Sequence, residues 1–157
     1  MTALVTGAAR RLGRAMALHL AARGHDVAVH YAGSETEAGE AVAAIEGMGR
    51  RAVALRADLL DEGETAALVG RAAAALGPLT VLVNNASIFE HDTLQTATRT
   101  GWDRHVGSNL RAPFVLTQGF AAQVPAAVPD ENGEPLARGL IVNMIDQRIL
   151  KPTPEFM

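Results

Sequence analysis

Short apolar runs alternate with helical patterns along the chain, and this alternation constrains the fold more than any other feature. Five runs predict strands, at residues 3–5, 26–31, 52–55, 80–83 and 140–144. Helical patterns separate the first four runs, and a longer helical region (98–124) and a loop precede the fifth. Strands that are apolar throughout are typical of a parallel sheet covered by helices on both faces. The sequence therefore predicts an α/β fold, a doubly wound, Rossmann-like parallel sheet with right-handed crossovers and five visible strands.

The helical patterns carry specific start signals and buried faces. Ser34 and Glu37 have the spacing of a capping box, and Asp61 with Glu64 caps the next helix. The predicted buried faces are Leu12, Met16 and Leu20 in the first helix, Ala38, Ala41, Val42, Ile45 and Met48 in the second, and Leu68, Val69, Ala72 and Leu76 in the third. Residues 125–138, rich in Pro, Ala, Gly and acidic residues, predict a flexible surface loop.

Composition excludes several classes of function. A net charge of -3 and 4% aromatic residues give no basis for binding nucleic acid or an anionic membrane. The chain has no cysteine, and its five histidines lack metal-ligand spacing, so we expect no metal site. The first apolar stretch is too short for a signal peptide or a membrane span, and we therefore expect a cytoplasmic protein.

A glycine-rich turn lies between the first predicted strand and the first helix. Residues 6–13 read Thr-Gly-Ala-Ala-Arg-Arg-Leu-Gly. In such folds this turn points backbone N–H groups and a helix N-terminus at a pyrophosphate. Gly7 permits the tight turn, and Gly13 permits close packing of the helix on the strand. The alternative is a glycine turn that binds nothing.

The turn resembles the Thr-Gly-x-x-x-Gly-x-Gly signature of short-chain dehydrogenases/reductases, with Arg11 in place of the middle glycine. The pteridine-reductase branch of that family, whose turn reads Thr-Gly-x-x-x-Arg-x-Gly, is the most similar. Residues 58–59 (Asp-Leu) resemble the family's contact to adenine, and residues 84–87 (Asn-Asn-Ala-Ser) resemble its Asn-Asn-Ala-Gly motif. Taken singly, Asp58 is also explained as a turn former and Asn84 as a strand cap. The resemblance implies a cofactor site formed by Gly7, Arg10, Arg11, Leu12, Gly13, Ser34, Asp58, Leu59, Asn85, Ala86 and Ser87.

The end of the second strand favours NADP(H) over NAD(H). An NAD site usually places a carboxylate there, whereas this chain reads Tyr-Ala-Gly-Ser at 31–34 and has no acid before Glu35. Arg10 and Arg11 supply positive charge for a 2′-phosphate, and Ser34 supplies a hydroxyl donor. Alternatively, Ser34 only caps its helix and the arginines are solvated. The pteridine-reductase branch tends to carry a basic residue where this chain has Ala32, so phosphate affinity is expected to rest more on the turn arginines.

Two residues are candidates for catalysis. Asn109 lies four residues before Pro113, which has no N–H to donate to the Asn109 carbonyl in a helix. That carbonyl is free to accept from a water, and the resemblance implies that this water belongs to a proton relay. Asp146 follows the fifth strand where most of the family has a serine, and it is expected to orient a carbonyl or a pterin ring. An incidental proline kink and a strand-end Asp that turns the chain are the alternatives.

The resemblance also implies a Tyr-x-x-x-Lys pair, whose tyrosine is the general acid. Counted from Asp146, this tyrosine falls just past Met157, and neither Tyr31 nor Lys151 can replace it. We therefore expect residues 1–157 to be a single dinucleotide-binding domain, incomplete at its C-terminus. The implied reaction is NADP(H)-dependent hydride transfer to a small-molecule carbonyl or a pterin-like C=N, in a protein that forms homodimers or homotetramers when complete. A catalytically silent NADP(H)-binding module, an inactive fragment, and an α/β scaffold without cofactor are the alternatives.

Overall fold

A computed structural model describes residues 1–152 of the chain. The strands are β1 (Thr2–Val5), β2 (Asp26–Tyr31), β3 (Ala52–Arg56), β4 (Val81–Asn84), β5 (Val128–Pro129), β6 (Pro135–Leu136) and β7 (Leu140–Asn143). The α-helices are α1 (Arg11–Ala22), α2 (Glu35–Glu46), α3 (Glu62–Leu76), α4 (Arg99–Val106) and α5 (Ala112–Gln123). A π-helical segment (Gly107–Arg111) joins α4 to α5, and a 3-10 helix (Gln147–Ile149) follows β7.

Five of the strands form one parallel sheet in the order β3-β2-β1-β4-β7. From β1 the chain proceeds in one direction through β2 and β3, and then returns to the other side of β1 through β4 and β7. This order confirms the predicted doubly wound fold. The strand order reverses between β1 and β4, so the carboxyl ends of these two strands border the crevice where open α/β sheets bind ligands.

Each face of the sheet carries its own apolar core. On one face, α1 and α2 contribute Ala17, Ala21, Ala38 and Ile45, which pack against β1 and β2. On the other face, the buried residues of α3 and α5 pack against the remaining side chains of the strands. The predicted inner face of α3 is confirmed, because Leu68, Val69, Ala72 and Leu76 are all buried.

The predicted buried face of α1 is only partly correct. Met16 and Leu20 are partly buried and pack against the core, whereas Leu12 is 64% exposed, and the fully buried residues of this helix are Gly13, Ala17 and Ala21. At Gly13 the helix lies so close to the glycine turn that there is no room for a side chain. In α2, Ala38, Ala41 and Ile45 are buried as predicted, whereas Met48 lies beyond the end of the helix and is exposed.

One of the two predicted helix caps is absent. The Ser34 side chain makes no capping hydrogen bond, and Glu37 pairs instead with Arg10, whose Nε lies 3.0 Å from its Oε1. Ser34 adopts φ -101° and ψ 63°, outside the extended conformation that suits an N-cap. The cap of α3 is confirmed, since the Asp61 carboxylate accepts from the Glu64 N–H at 2.8 Å.

Residues 125–138 are more ordered than the predicted loop. They are largely exposed, but they contain an antiparallel hairpin of β5 and β6 whose turn is closed by the Asp130 side chain. The hairpin leads into β7, the edge strand. There Leu140 is 56% exposed, whereas the four residues of neighbouring β4 are buried.

Candidate cofactor and substrate site

A groove of about 1310 Å³ lies at the carboxyl ends of the strands. It borders β1 and β4, where the strand order reverses. All the predicted site residues except Ser34 line it, namely Gly7, Arg10, Arg11, Leu12, Gly13, Asp58, Leu59, Asn85, Ala86, Ser87, Asn109 and Asp146. The fold therefore brings together residues that are separated by up to 139 positions in the sequence.

The turn after β1 depends on its two predicted glycines. Gly7 has φ +62°, a conformation that side chains disfavour, and a Cβ at Gly13 would lie 2.1 Å from the Gly7 carbonyl oxygen. Arg11, at the position of the family's middle glycine, has φ +50° and is the one non-glycine residue with positive φ within residues 1–152. This left-handed conformation costs about 1 kcal/mol for a residue with a side chain.

Thr6 and Asn85 connect this turn to the end of β4. The Thr6 hydroxyl oxygen accepts hydrogen bonds from the Asn85 and Ala86 N–H groups at 2.9 and 3.0 Å. In return, the Asn85 Nδ2 donates to the Thr6 carbonyl at 2.8 Å. Because Thr6 is only 1% exposed, water does not compete with these bonds. The contacts fix the two strand ends on either side of the groove.

His30 is a positioning residue that sequence reasoning missed. Its Nδ1 accepts from the Gly7 N–H at 3.0 Å, and its Nε2 lies 3.1 Å from the Ala57 carbonyl oxygen. A backbone N–H can only donate, so the ring is neutral with its proton on Nε2. Burial lowers the pKa of His30 below its usual value, which favours the same state. The available signal was a polar residue inside an otherwise apolar strand, one strand away from the glycine turn.

The N-terminus of α1 lacks the features that normally satisfy a helix start. Its N-cap residue, Arg10, makes no side-chain cap bond, and no acidic residue lies in the first turn. In contrast, α3 begins with the Asp61 cap and two glutamates. The first N–H groups of a helix have no partner within it, and the helix dipole makes this end positive. Two arginines beside an uncapped helix start fit an anionic group such as a pyrophosphate.

Ser34 and Asp58 lie near the end of the groove that is bordered by β2 and β3. Ser34 does not line the groove, but its hydroxyl accepts from Arg10 Nη1 at 3.5 Å. Asp58 does form a turn, since its Oδ1 accepts from the Leu60 N–H at 2.9 Å. Asp58 is also exposed at the groove, so the turn-forming and ligand-binding interpretations of this residue are compatible.

The π-helical segment holds Asn109 against the chain that follows β4. The Asn109 Oδ1 accepts from the Ile88 N–H, and its Nδ2 donates to the Ile88 carbonyl, both at 2.8 Å. Each end of the amide side chain therefore makes one hydrogen bond to Ile88, and this pair of bonds fixes its orientation. Next to Pro113, the helical turn directly before α5 is widened into this π-helical segment.

The other end of the groove contains aromatic and charged side chains. Asp146 accepts from the Arg148 N–H at 2.7 Å, and the Arg148 guanidinium lies 4.9 Å from the centre of the Phe89 ring. Nearby, Arg104 forms an ion pair with Glu90 at 2.7 Å, and this hydrogen bond lowers the pKa of the Glu90 carboxyl. Sequence reasoning missed Phe89 and Arg104, because only the tertiary structure brings them to the groove.

A pair of asparagines lies between the two ends of the groove. Asn84 Nδ2 donates to Asn143 Oδ1 at 2.8 Å, at the paired ends of β4 and β7. The buried Oδ1 of Asn84 has no hydrogen-bond partner among the described residues. A buried acceptor of this kind is unfavourable unless a water or a ligand donates to it.

Within residues 1–152, no cluster of His, Asp and Glu side chains could hold a metal ion. None of the helices in this part of the chain is long and apolar enough to cross a membrane.

Comparison with known proteins agrees with this geometry. A family model described as short chain dehydrogenase matches residues 1–153, and the chain belongs to that family. It is 38% identical over 123 residues to the 3-oxoacyl-(acyl-carrier-protein) reductase FabG of Staphylococcus aureus, covering 78% of this chain and 50% of that protein.

Two solved structures extend the comparison. FolM alternative dihydrofolate reductase 1 from Brucella suis, in complex with NADP, superposes with a TM-score of 0.87 at 36% identity. The match covers 99% of this chain and 61% of FolM. A short chain dehydrogenase from Burkholderia cenocepacia, also in complex with NADP, superposes with a TM-score of 0.86 at 37% identity. This match covers 99% of this chain and 59% of the Burkholderia protein. The chain thus spans about half the length of FabG and about three-fifths of these two proteins.

Proposed function

We propose that this protein binds NADP(H) and that the whole protein is an NADP(H)-dependent reductase of a carbonyl or a pterin-like C=N. The observation that carries the proposal is the start of α1. There an uncapped helix N-terminus, a glycine cradle without room for a Cβ, and two arginines border one groove. The Brucella and Burkholderia relatives that share this fold were solved with NADP.

The proposed cofactor lies along the groove, with its phosphates at the turn after β1. The N–H groups of α1, with Arg10 and Arg11, bind the pyrophosphate. Asp58 and Leu59 border the adenine, and residues 85–87 (Asn-Ala-Ser) line the side of the ribose and nicotinamide. Arg10 also contacts Ser34, and the end of β2 carries no carboxylate in the groove, so a 2′-phosphate meets an attractive charge there.

The proposed substrate lies at the other end, among Asp146, Phe89 and Asn109. Bound NADPH supplies the hydride that adds to the carbon of a C=O or C=N bond. The Asn109 carbonyl holds a water of the proton relay. The Asp146 carboxylate orients the substrate by accepting a hydrogen bond from it, and the exposed Phe89 ring offers a surface for a flat substrate. Proton donation is assigned to no residue of this sequence, since its single tyrosine, Tyr31, is buried in β2.

Two substrate classes fit the relatives. FolM is described as an alternative dihydrofolate reductase, which favours a pterin ring, and Asp146 with Phe89 suits hydrogen bonding and stacking of such a ring. FabG is a 3-oxoacyl reductase, which favours a ketone. We favour the pterin class because Asp146 stands where the family usually has serine. A homodimer or homotetramer is part of the proposal, on the family resemblance.

Titration with NADPH, followed by turnover assays, tests this proposal. Addition of the purified protein to NADPH should change the nicotinamide fluorescence saturably, and NADH should bind more weakly. Oxidation of NADPH is then measured with a ketone panel and with dihydropterins. Absence of binding contradicts the whole proposal and supports a scaffold without cofactor. Tight binding without oxidation of any substrate supports a silent NADP(H)-binding module instead.

A further inference from the structure

The end of β3 carries a groove-lining arginine to which neither the motifs nor the proposed function assign a role. Arg56 is the last residue of β3, where it pairs with Tyr31 of β2, and it lines the groove. Side chains alternate along a strand. Ala52 and Ala54 pack in the core under α1 and α2, whereas Val53 and Leu55 pack in the opposite core. Arg56 therefore extends on the face of α2, the same face on which Arg10 reaches Ser34 and Glu37.

The charge of this corner of the groove is only partly neutralised. Arg10 is paired with Glu37, so its guanidinium offers an incoming phosphate less than a full positive charge. Ala32, which also lines the groove, adds no charge. The Arg56 guanidinium forms no hydrogen bond or ion pair within residues 1–152, and Arg71 bonds only the Arg56 carbonyl, at 2.9 Å.

No acidic group within residues 1–152 forms an ion pair with Arg56. The nearest in sequence, Asp58, has one carboxylate oxygen accepting from the Leu60 N–H. Glu35 is exposed at the start of α2 and does not line the groove. Arginine with unoccupied donors at the rim of a site is well suited to bind a phosphate through two parallel hydrogen bonds.

We propose that Arg56 is a specificity residue that binds the 2′-phosphate of NADP(H) together with Arg10 and Ser34. This inference rests on the proposed cofactor site. In this proposal the cationic side chain that the end of β2 lacks is supplied by the end of β3. The adenosine 2′-phosphate thus lies across the carboxyl ends of β2 and β3, and Arg56 discriminates NADP(H) from NAD(H).

The test compares Arg56→Gln with Arg23→Gln, which removes an exposed arginine from the far end of α1. Affinities for NADPH and NADH are measured by fluorescence, and those for 2′,5′-ADP and 5′-AMP by calorimetry. We expect Arg56→Gln to weaken the binding of NADPH and of 2′,5′-ADP by roughly 10-fold or more, which is the usual effect of losing a charged hydrogen bond. NADH and 5′-AMP affinities should stay unchanged, Arg23→Gln should match the wild type, and Arg56→Lys should retain part of the preference.

The outcomes separate this inference from the proposed function. Unchanged NADPH affinity in Arg56→Gln, with a wild type that binds NADPH, overturns the role of Arg56 alone. An equal loss for NADPH and NADH also overturns it, because the side chain would then contact a part that both cofactors share. A wild type that binds neither cofactor removes both proposals. Thermal unfolding of Arg56→Gln is recorded alongside, and it should match the wild type because the side chain is exposed.

Discussion

The two ends of the groove are built from different kinds of contact. At the end bordered by β1 and β2, the positioning side chains are Thr6 and His30, which are almost completely buried and bond the backbone of neighbouring strands. At the end near β7, the contacts of Asn109, Asp146 and Arg104 are exposed. The proposed cofactor thus meets a preformed surface, whereas the proposed substrate meets side chains whose bonds water can replace.

This difference has an energetic consequence. A buried donor or acceptor that loses its partner costs about 1–3 kcal/mol, whereas exposed ion pairs contribute about 0–1 kcal/mol. Substitutions at the β1 end should therefore lower the stability of the whole fold. Substitutions at the β7 end should change local order and catalysis more than stability.

Gly13→Ala should have the largest effect, at the β1 end. Its new Cβ would lie 2.1 Å from the Gly7 carbonyl oxygen, so α1 or the turn must shift. We expect the free energy of unfolding to fall by about 1–3 kcal/mol or more, the usual cost of overpacking, and NADPH binding to be lost. Chemical denaturation and fluorescence titration measure the two effects.

Gly39→Ala in α2 is the matched control for that substitution. Nothing lies within 4 Å of a Cβ at Gly39, and alanine favours a helix by about 1 kcal/mol over glycine. This variant should be slightly more stable than the wild type and should bind NADPH normally. If the two variants had the same stability and the same NADPH affinity, the close packing of α1 on the turn would not exclude a side chain at position 13.

The pH dependence of stability should report on His30. Burial, which outweighs the opposing hydrogen bond to Ala57, lowers its pKa, so the folded protein takes up this proton at a lower pH than the unfolded chain does. The free energy of unfolding should therefore fall as the pH drops below about 6.5 and should keep falling until the folded pKa is reached. Denaturation measured from about pH 8 down to about pH 5 gives the slope.

His25→Gln provides the comparison for His30→Gln. Desolvation also lowers the pKa of His25, but this residue is only partly buried. His30→Gln should remove more of the pH dependence than His25→Gln does. An NMR titration of the wild-type imidazoles gives an independent reading, and a normal pKa for His30 would refute its buried, neutral state.

Asn109→Ala should have the smallest effect on stability, at the β7 end. It removes two exposed hydrogen bonds to Ile88, so the free energy of unfolding should change by about 1 kcal/mol or less. Hydrogen exchange of residues 86–92 should become faster, because this segment loses its attachment to the π-helical segment. Gln118→Ala, on the exposed face of α5, should leave exchange there unchanged. A large loss of stability in Asn109→Ala would mean that contacts at the β7 end contribute as much to stability as those at the β1 end.

Much of the fold and the outline of the site could be predicted from the sequence. Apolar runs and glycine positions are local signals, so the sheet, the inner face of α3 and the turn at 6–13 were predicted correctly. The burial of Leu12 and the capping role of Ser34 were predicted wrongly. In both places a contact distant in sequence is present: a Cβ at Gly13 would lie 2.6 Å from Asn85 Nδ2, and Glu37 pairs with Arg10.

The roles of individual site residues remain predictions, although the structure brings all of them except Ser34 to one groove. The sequence by itself determined the five strands of the sheet, the first three helices and the two glycines of the turn, because hydrophobic periodicity and backbone sterics act over a few residues. The tertiary structure alone decided that His30 holds the Gly7 turn, that Asn109 holds Ile88, and that Arg56 lies at the groove without an ion-pair partner among residues 1–152. Such contacts depend on which strand ends become neighbours, and that neighbourhood exists only once the sheet has formed.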